Sequence, residues 1–433
     1  MTAFYRPLTF LLTGCAWLML SSLLGLALLI GLVRGSGLPP WIRLVHVHAA
    51  LVGGVAQMIM GAMLSFIPPL LMTGHKRRDS HPVLFWLVNA GALGVIAGFA
   101  LQIPAVIGGG GLLVLAAFTG VARDAWRQSR QSLNAPPLNL LFYAVAIAAL
   151  VAGLLLGIGM AVRLVDPSWY GHARLVHLHL NLLGFVTLTI VGTMHNLLPT
   201  VLQQPLYSPR SARLVFVLLP VSVVILVTGF ALSSLTIELV AGALLLTGTV
   251  LYAFNLFATW RRSTHEGNAA SDHLLVATFF LVLAVIMGLL VGVNYTGEAP
   301  LMPMGTLHLV AYTHLALIGF VLQTIFGALS HLVPITLAVS RVPNTKKRSP
   351  YLARLSRIMD RWRFVQITSL SLGTMGLAVI ASLAWTTPLG SPAIQTSAWA
   401  TFGLLLAAIT LFALKLTWAL HTRPESQPTD GTR

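Results

Sequence analysis

The stretch RLVHVHAALVGGVAQMIMGAMLSFIPPLL, residues 43–71, occurs twice more in the chain in altered form. It returns as RLVHLHLNLLGFVTLTIVGTMHNLLPTVL over 174–202 and as AYTHLALIGFVLQTIFGALSHLVPITL over 311–337. From His48 to Gly53, Gly61 and Pro68 the steps are five, eight and seven residues. The same steps join His179, Gly184, Gly192 and Pro199, and again His314, Gly319, Gly327 and Pro334. Self-similarity at a fixed register marks internal repetition. Each copy is apolar and long enough to cross a bilayer as a helix. The glycines permit close approach of a neighbouring helix or a flat cofactor, and each proline falls near the end of its run, where a helix stops or bends at little cost.

Working outward, twelve hydrophobic runs of spanning length lie near 9–33, 44–72, 82–103, 104–122, 138–162, 174–202, 213–233, 235–259, 273–294, 308–338, 364–386 and 395–420. The three copies are numbers 2, 6 and 10, so the repeating unit is four helices. The expected fold is all-α and integral to the membrane: twelve transmembrane helices in three pseudo-symmetric groups of four. It forms one transmembrane domain over 1–433, with repeats near 1–135, 136–265 and 266–433. All three copies then cross in the same direction, and their histidines share one depth.

Composition agrees, since 57% of the 433 residues are hydrophobic, only 8% are charged, and the mean hydropathy is +0.86. Such a chain has lipid as its main solvent. The net charge of +16 does not point to nucleic acid, because the cations gather in alternate short loops, as the positive-inside rule requires. Lys76, Arg77 and Arg78, then Arg123, Arg127 and Arg130, then Arg210 and Arg213, then Arg261 and Arg262, and finally Arg341 to Arg363 fall on one side. This predicts a bacterial-type cytoplasmic (inner) membrane with both termini cytoplasmic. The loop 341–363 can also meet anionic lipid headgroups. No small-residue cleavage site comes after a short apolar stretch, so the first run is expected to be a span. No phosphate-cradling glycine loop or dinucleotide fingerprint occurs, so no nucleotide is expected as a partner.

The chemistry rests on histidine. An imidazole inside a membrane is costly unless it meets a metal, a proton path or a hydrogen-bond partner. His48, His179 and His314 are therefore the first candidates for cofactor binding, with structural histidines bonded to backbone carbonyls as the alternative. His46 and His48, like His177 and His179, are two residues apart, which turns them about 200° from each other on a helix. Such a pair serves two centres, one on each face. Tyr312 stands where the third copy lacks its first histidine, and His46, His177 and Tyr312 are the second tier of candidates.

His195 and His331 lie about 25 Å further along their helices at a 1.5 Å rise, as a second site, a proton relay or merely hydrated rings. Met302, Met304 and His308 share one loop and are soft or borderline ligands that suit Cu(I). The lone cysteine, Cys15, excludes a disulfide framework and covalent attachment of c-type heme, so a heme here is non-covalent.

The 174–202 segment resembles the histidine-pair helix of heme-copper oxidase catalytic subunits, especially the C-type oxidases. His177 and His179, Gly184 with Phe185, Gly192, and Leu197, Leu198 and Pro199 stand in that family's order. The resemblance implies twelve helices in three groups, heme b and copper as cofactors, and a redox partner or second subunit. In that family a helix 2 histidine and the second histidine of the pair hold a low-spin heme, and the first holds a high-spin heme. Copper is held by a helix 6 histidine and a His-His pair on helix 7. Carried over by topology, His48 and His314 match the low-spin ligands. Tyr312 takes the high-spin position, and the seventh run, LVFVLLPVSVVILVTGFALSS, contains no histidine. The chain also resembles the NnrS-type membrane proteins of nitric oxide responses. The implied function is a heme-binding membrane redox protein in electron transfer or nitric oxide and diatomic gas handling, not oxygen reduction. The alternative is a copper-binding or copper-transfer protein without heme.

Overall fold

The computed structural model describes residues 7–73, 80–132, 135–297 and 306–424. Among the described residues there is no strand, and twelve helices are long and apolar enough to cross a membrane. They are α1 (Pro7–Val33), α2 (Trp41–Leu70), α3 (His81–Leu101), α4 (Pro104–Gln131), α5 (Leu138–Ala161), α6 (Pro167–Val201), α7 (Pro209–Leu232), α8 (Leu235–Arg262), α9 (Ala269–Val293), α10 (Leu307–Arg341), α11 (Thr345–Thr386) and α12 (Pro392–His421). Consecutive spans pack together, and α12 packs back on α1. The chain is an all-helical integral membrane protein.

Burial separates the twelve. In α2 and α10, 67% of the most apolar window is buried inside the protein, and in α6 56%, against 28% in α1 and 33% in α12. The three repeated helices are therefore the inner ones. Their polar residues face protein, where a partner can be supplied, instead of lipid.

Each inner helix runs antiparallel to the span before it, and the two interlock through a ladder of small and large groups. A Cβ added at Gly53 would stand 2.7 Å from the Trp17 ring, and one at Gly61 2.8 Å from Phe10 Cβ. At the equivalent places Gly184 meets Ala149 and Gly192 meets Phe142, while Gly319 meets Phe280 and Gly327 meets His273 and Leu274. Phe10 and Trp17, Phe142 and Ala149, and His273 and Phe280 are each seven residues apart. The repetition seen in α2, α6 and α10 thus extends to α1, α5 and α9. Helices in lipid associate through such small-residue contacts, because no hydrophobic gain separates helix from lipid.

One feature departs from the sequence expectation. The basic stretch 341–363, read as a loop, is largely helical from Thr345 to Asp360 and turns into the crossing part of α11 at Arg363. The break is at Trp362, whose φ of 55° is left-handed. Asn344 caps the segment by accepting from Lys346 N at 3.0 Å. Tyr351, Leu355, Ile358 and Met359 are buried on one face, and Arg341 donates to Tyr351 and to the Leu420 and Thr422 carbonyls at the end of α12. Charge alone had suggested a solvated loop; the apolar face at three- and four-residue spacing makes it an amphipathic helix lying on the bundle.

Candidate cofactor site

Immediately after the shared histidine, all three inner helices loosen into π-helical turns, over Ala49–Ala56, Leu180–Thr187 and Leu315–Leu322. A π-helical turn is rare and concentrates at functional sites. Its extra residue per turn rotates the histidine-bearing half of each helix relative to the glycine- and proline-bearing half. The faces on which the histidines lie therefore cannot be read from an ideal helical wheel.

The rings at the first position of each pair are seated on glycines of the preceding span. A Cβ at Gly25 would stand 2.7 Å from His46 Cε1, one at Gly157 2.6 Å from His177 Cε1, and one at Gly288 2.7 Å from Tyr312 Oη. These three glycines lie eight residues beyond Trp17, Ala149 and Phe280, so they form the last rung of the ladder. Each first-position ring thus leans on α1, α5 or α9 and not on its own helix.

Hydrogen bonding settles which ring nitrogen is free. His46 Nδ1 is 2.8 Å from the Ser21 carbonyl and His177 Nδ1 is 2.7 Å from the Gly153 carbonyl. His48, His179 and His314 each place Nδ1 at 2.7 to 2.8 Å from the carbonyl four residues back, those of Leu44, Leu175 and Val310. A carbonyl only accepts, so Nδ1 carries the proton and Nε2 keeps its lone pair in all five. This is the arrangement by which a protein orients a metal-binding imidazole and raises its basicity. Around the first of these rings, Ser21 Oγ donates to the His46 carbonyl at 2.8 Å. In the second repeat, Asn181 Nδ2 donates to the His177 carbonyl at 2.7 Å.

The structure brings His46, not His48, beside His314. Their rings are parallel, 7° apart, with centres separated by 6.4 Å. His48 faces elsewhere, within electrostatic reach of His177, and the Phe99 ring of α3 lies 4.6 Å from it. His179 has the corresponding partner in Phe230 of α7, at 4.5 Å. The three shared histidines, expected at one depth, meet different ring neighbours: Phe99 at His48, Phe230 at His179 and His46 at His314.

The separation of the parallel pair can be compared with that of two ligands on one metal. An imidazole nitrogen holds a transition metal at about 2 Å, and a ring centre lies roughly 1 Å behind that nitrogen, so two axial imidazoles on one metal have centres about 6 Å apart. The 6.4 Å separation fits. Two neutral imidazoles with fixed tautomers form the donor set a bis-histidine heme requires.

The remaining candidates are scattered. His195 donates Nδ1 to the Val191 carbonyl at 2.8 Å and sits between Phe142 and the edge of Tyr252, far from the pair in sequence and on its own helix. His331 is half-buried on α10. His308 lies edge-on to Trp385, with ring centres 6.2 Å apart. Met302 and Met304 lie outside the described residues. Among the described residues no group of three His, Cys, Asp or Glu side chains converges on one point. Ser21, Gly25, Gly157 and Phe99 were missed from sequence, although the seven- and eight-residue steps along α1, α5 and α9 carry the signal for the glycines.

Residues 138–304, from α5 to the segment before α10, match the family described as cytochrome C and quinol oxidase polypeptide I. No curated protein matches the chain. By fold, the chain is similar to a heme-copper terminal oxidase solved as a dimer by cryo-electron microscopy, with a TM-score of 0.70 and 13% identity, over 97% of this chain and 85% of that one. The family match over its second repeat and the shared fold over nearly its whole length make this chain similar to the catalytic subunits of heme-copper oxidases, with that family's fold.

Proposed function

We propose that the protein is a membrane redox carrier that holds one low-spin b-type heme between His46 and His314. The observation that carries this reading is the parallel pair of rings 6.4 Å apart, each with Nδ1 committed to a backbone carbonyl. A metal ion held by protein alone takes three or four side-chain ligands. Two imidazoles and no third convergent ligand among the described residues suit a metal whose other positions a porphyrin fills. This favours heme over the copper-only reading.

Bound there, a bis-histidine heme supplies one-electron transfer at an iron with no open coordination position. The chain's own residues determine the rest. The Ser21 and Val310 carbonyls hold the two protons on Nδ1, so neither ring needs to lose a proton on binding. Gly25 leaves the room in which the His46 ring lies flat against α1. His46 belongs to the first repeat and His314 to the third, so the site clamps the two ends of the chain together.

His177 and His48, the first ring of one repeat and the second ring of the preceding one, lie within electrostatic reach of each other, in the same order as His46 and His314. Tyr312 and His179 hold the remaining first and second positions of that order. With α7 free of histidine, the ligand set for an oxygen-reducing copper beside a second heme is not provided. The use that fits a six-coordinate iron is electron transfer, with a redox partner or second subunit. The membrane is the bacterial-type cytoplasmic one, with both termini on its cytoplasmic side, by the distribution of cations.

The test is a reduced-minus-oxidised visible spectrum with metal analysis of the purified protein. A b-type low-spin band that is lost in both His46→Ala and His314→Ala and kept in His48→Ala is the expected result. Copper without iron, or a band that survives both of the first two changes, sinks the proposal.

A further inference from the structure

Away from the histidine pair, six arginines lie between residues 341 and 363, at the end of α10 and the start of α11. The protein uses them unequally. Arg341 donates to Tyr351 and to two carbonyls at the end of α12, and Arg348 donates to the Val342 and Pro343 carbonyls at 3.1 Å. Arg363 pairs with Asp272 and donates to the Gly267 carbonyl. Arg361 is exposed and has no such acceptor among the described residues. Its guanidinium instead lies 4.4 Å from the centre of the Trp362 ring and 5.3 Å from that of Trp418 on α12. Arg130 over Trp126 and Arg34 over Trp399 each meet one ring; among the described residues only Arg361 meets two.

Stacking occupies the flat face of a guanidinium and leaves open its edge, which carries the N–H donors. The two rings are themselves half in the open, Trp362 at 50% and Trp418 at 45% exposure. Trp362 has the left-handed conformation that ends a helix, at a place glycine ordinarily fills. A bulky ring there is strained, and such outliers cluster at functional positions. The crossing part of α11 starts at Arg363 and α12 ends at His421, so both tryptophans stand where a span meets the headgroups, the depth that tryptophan favours. Next to them, Phe364 and Val365 on α11 and Leu414 on α12 are exposed apolar side chains. Arg354, Arg357 and Arg361 follow at steps of three and four, which makes one exposed stripe about 110° round the helix from the buried face. A planar fork of donors grips an oxyanion with two oxygens in reach, and the apolar surface below it suits hydrocarbon.

We propose that Arg361, held between Trp362 and Trp418 with Arg357 one turn away, binds the phosphodiester of an anionic phospholipid whose acyl chains lie on the exposed apolar side chains of α11 and α12. The rings fix the guanidinium face-on, so its donors point at the phosphate without ordering a free side chain first. Arg357 adds charge to the same headgroup. The bound lipid then joins the amphipathic segment to the two spans beside it.

Full-length protein in a neutral detergent is titrated with phosphatidylglycerol or with phosphatidylcholine of the same chain length, and bound lipid is counted by native mass spectrometry. Phosphatidylglycerol is expected to fill its first site at least about fivefold more tightly. Arg361→Gln is expected to remove most of that preference, whereas Arg130→Gln, at a guanidinium that meets one ring, is expected to keep it. Trp362→Gly changes no charge and relieves the left-handed strain. It is expected to weaken phosphatidylglycerol binding about threefold with no fall in melting temperature. A ring that serves packing alone would give a lower melting temperature with the lipid preference intact, and that result overturns the proposal. Equal affinity of the unaltered protein for the two lipids, or an unchanged preference in Arg361→Gln, overturns it too. Added ammonium phosphate is expected to leave the lipid in place; displacement by it would remove the lipid as the occupant. If Arg361→Gln does not fold, Trp362→Gly decides.

Discussion

The meeting of α2 with α10 and the meeting of α6 with α2 are built from the same parts, yet only one of them presents two parallel rings. Both pair a first-position histidine seated on a glycine, His46 on Gly25 and His177 on Gly157, with a second-position histidine bonded to the carbonyl four residues back. The second-position rings differ in what lies against them. His48 has the Phe99 ring 4.6 Å away, whereas His314 has His46 across a 6.4 Å separation. A repeated ligand position is therefore not by itself a repeated site. The aromatic neighbour on the next span decides whether an imidazole faces a partner or a phenyl ring.

The sharpest way to break this comparison is to remove the ligands. His46→Ala and His314→Ala are each expected to abolish the low-spin spectrum completely, and loss in only one of them would dissolve the pairing. Next in size is Gly25→Leu, which forces the new side chain into the His46 ring. Overpacking of this kind costs about 1–3 kcal/mol, and the heme signal should fall with it, while Gly157→Leu lowers the melting temperature similarly but spares the spectrum. Equal loss of heme from both would mean that the two interfaces are equivalent after all. Ser21→Ala is a smaller change, since it removes a hydroxyl hydrogen bond beside His46 and leaves the carbonyl that fixes Nδ1. Heme affinity is expected to drop about tenfold at most, measured by heme transfer to an apo-acceptor. The smallest effect is that of His48→Leu, which should leave the b-type band in place. Its disappearance would restore His48 as the ligand in place of His46.

The spans were legible because a bilayer imposes length and apolarity on each, and the threefold order was legible because the glycine steps survive in all three copies. The pairing was not. His46 and His48 differ by two residues, so they share a depth to within one turn, and depth was the quantity the topology transferred. Which of them meets His314 depends on rotation about the helix axis, and that rotation is set by the adjoining π-helical turns and by the seat on α1. Neither leaves a mark in hydropathy. The amphipathic segment 345–360 was hidden for a different reason: its dense cations dominate the composition, and the buried positions Tyr351, Leu355, Ile358 and Met359 are too few to register as a span.

The alternating rungs between α1 and α2 have a mechanical consequence. Bulk sits on α1 where α2 is bare, at Trp17 and Phe10 against Gly53 and Gly61, and on α2 where α1 is bare, at His46 against Gly25. A toothed joint of this kind has one engaged position, because sliding either helix by one turn would take Trp17 and Phe10 off their glycines, and sliding by two turns would bring Trp17 against His46. The His46 imidazole is a tooth of that joint before it is anything else. Its height and orientation are consequently settled when the helices mesh, with no help from a bound group, and the same holds for His177 and Tyr312. A cofactor arriving afterwards would find one side of its socket already cut.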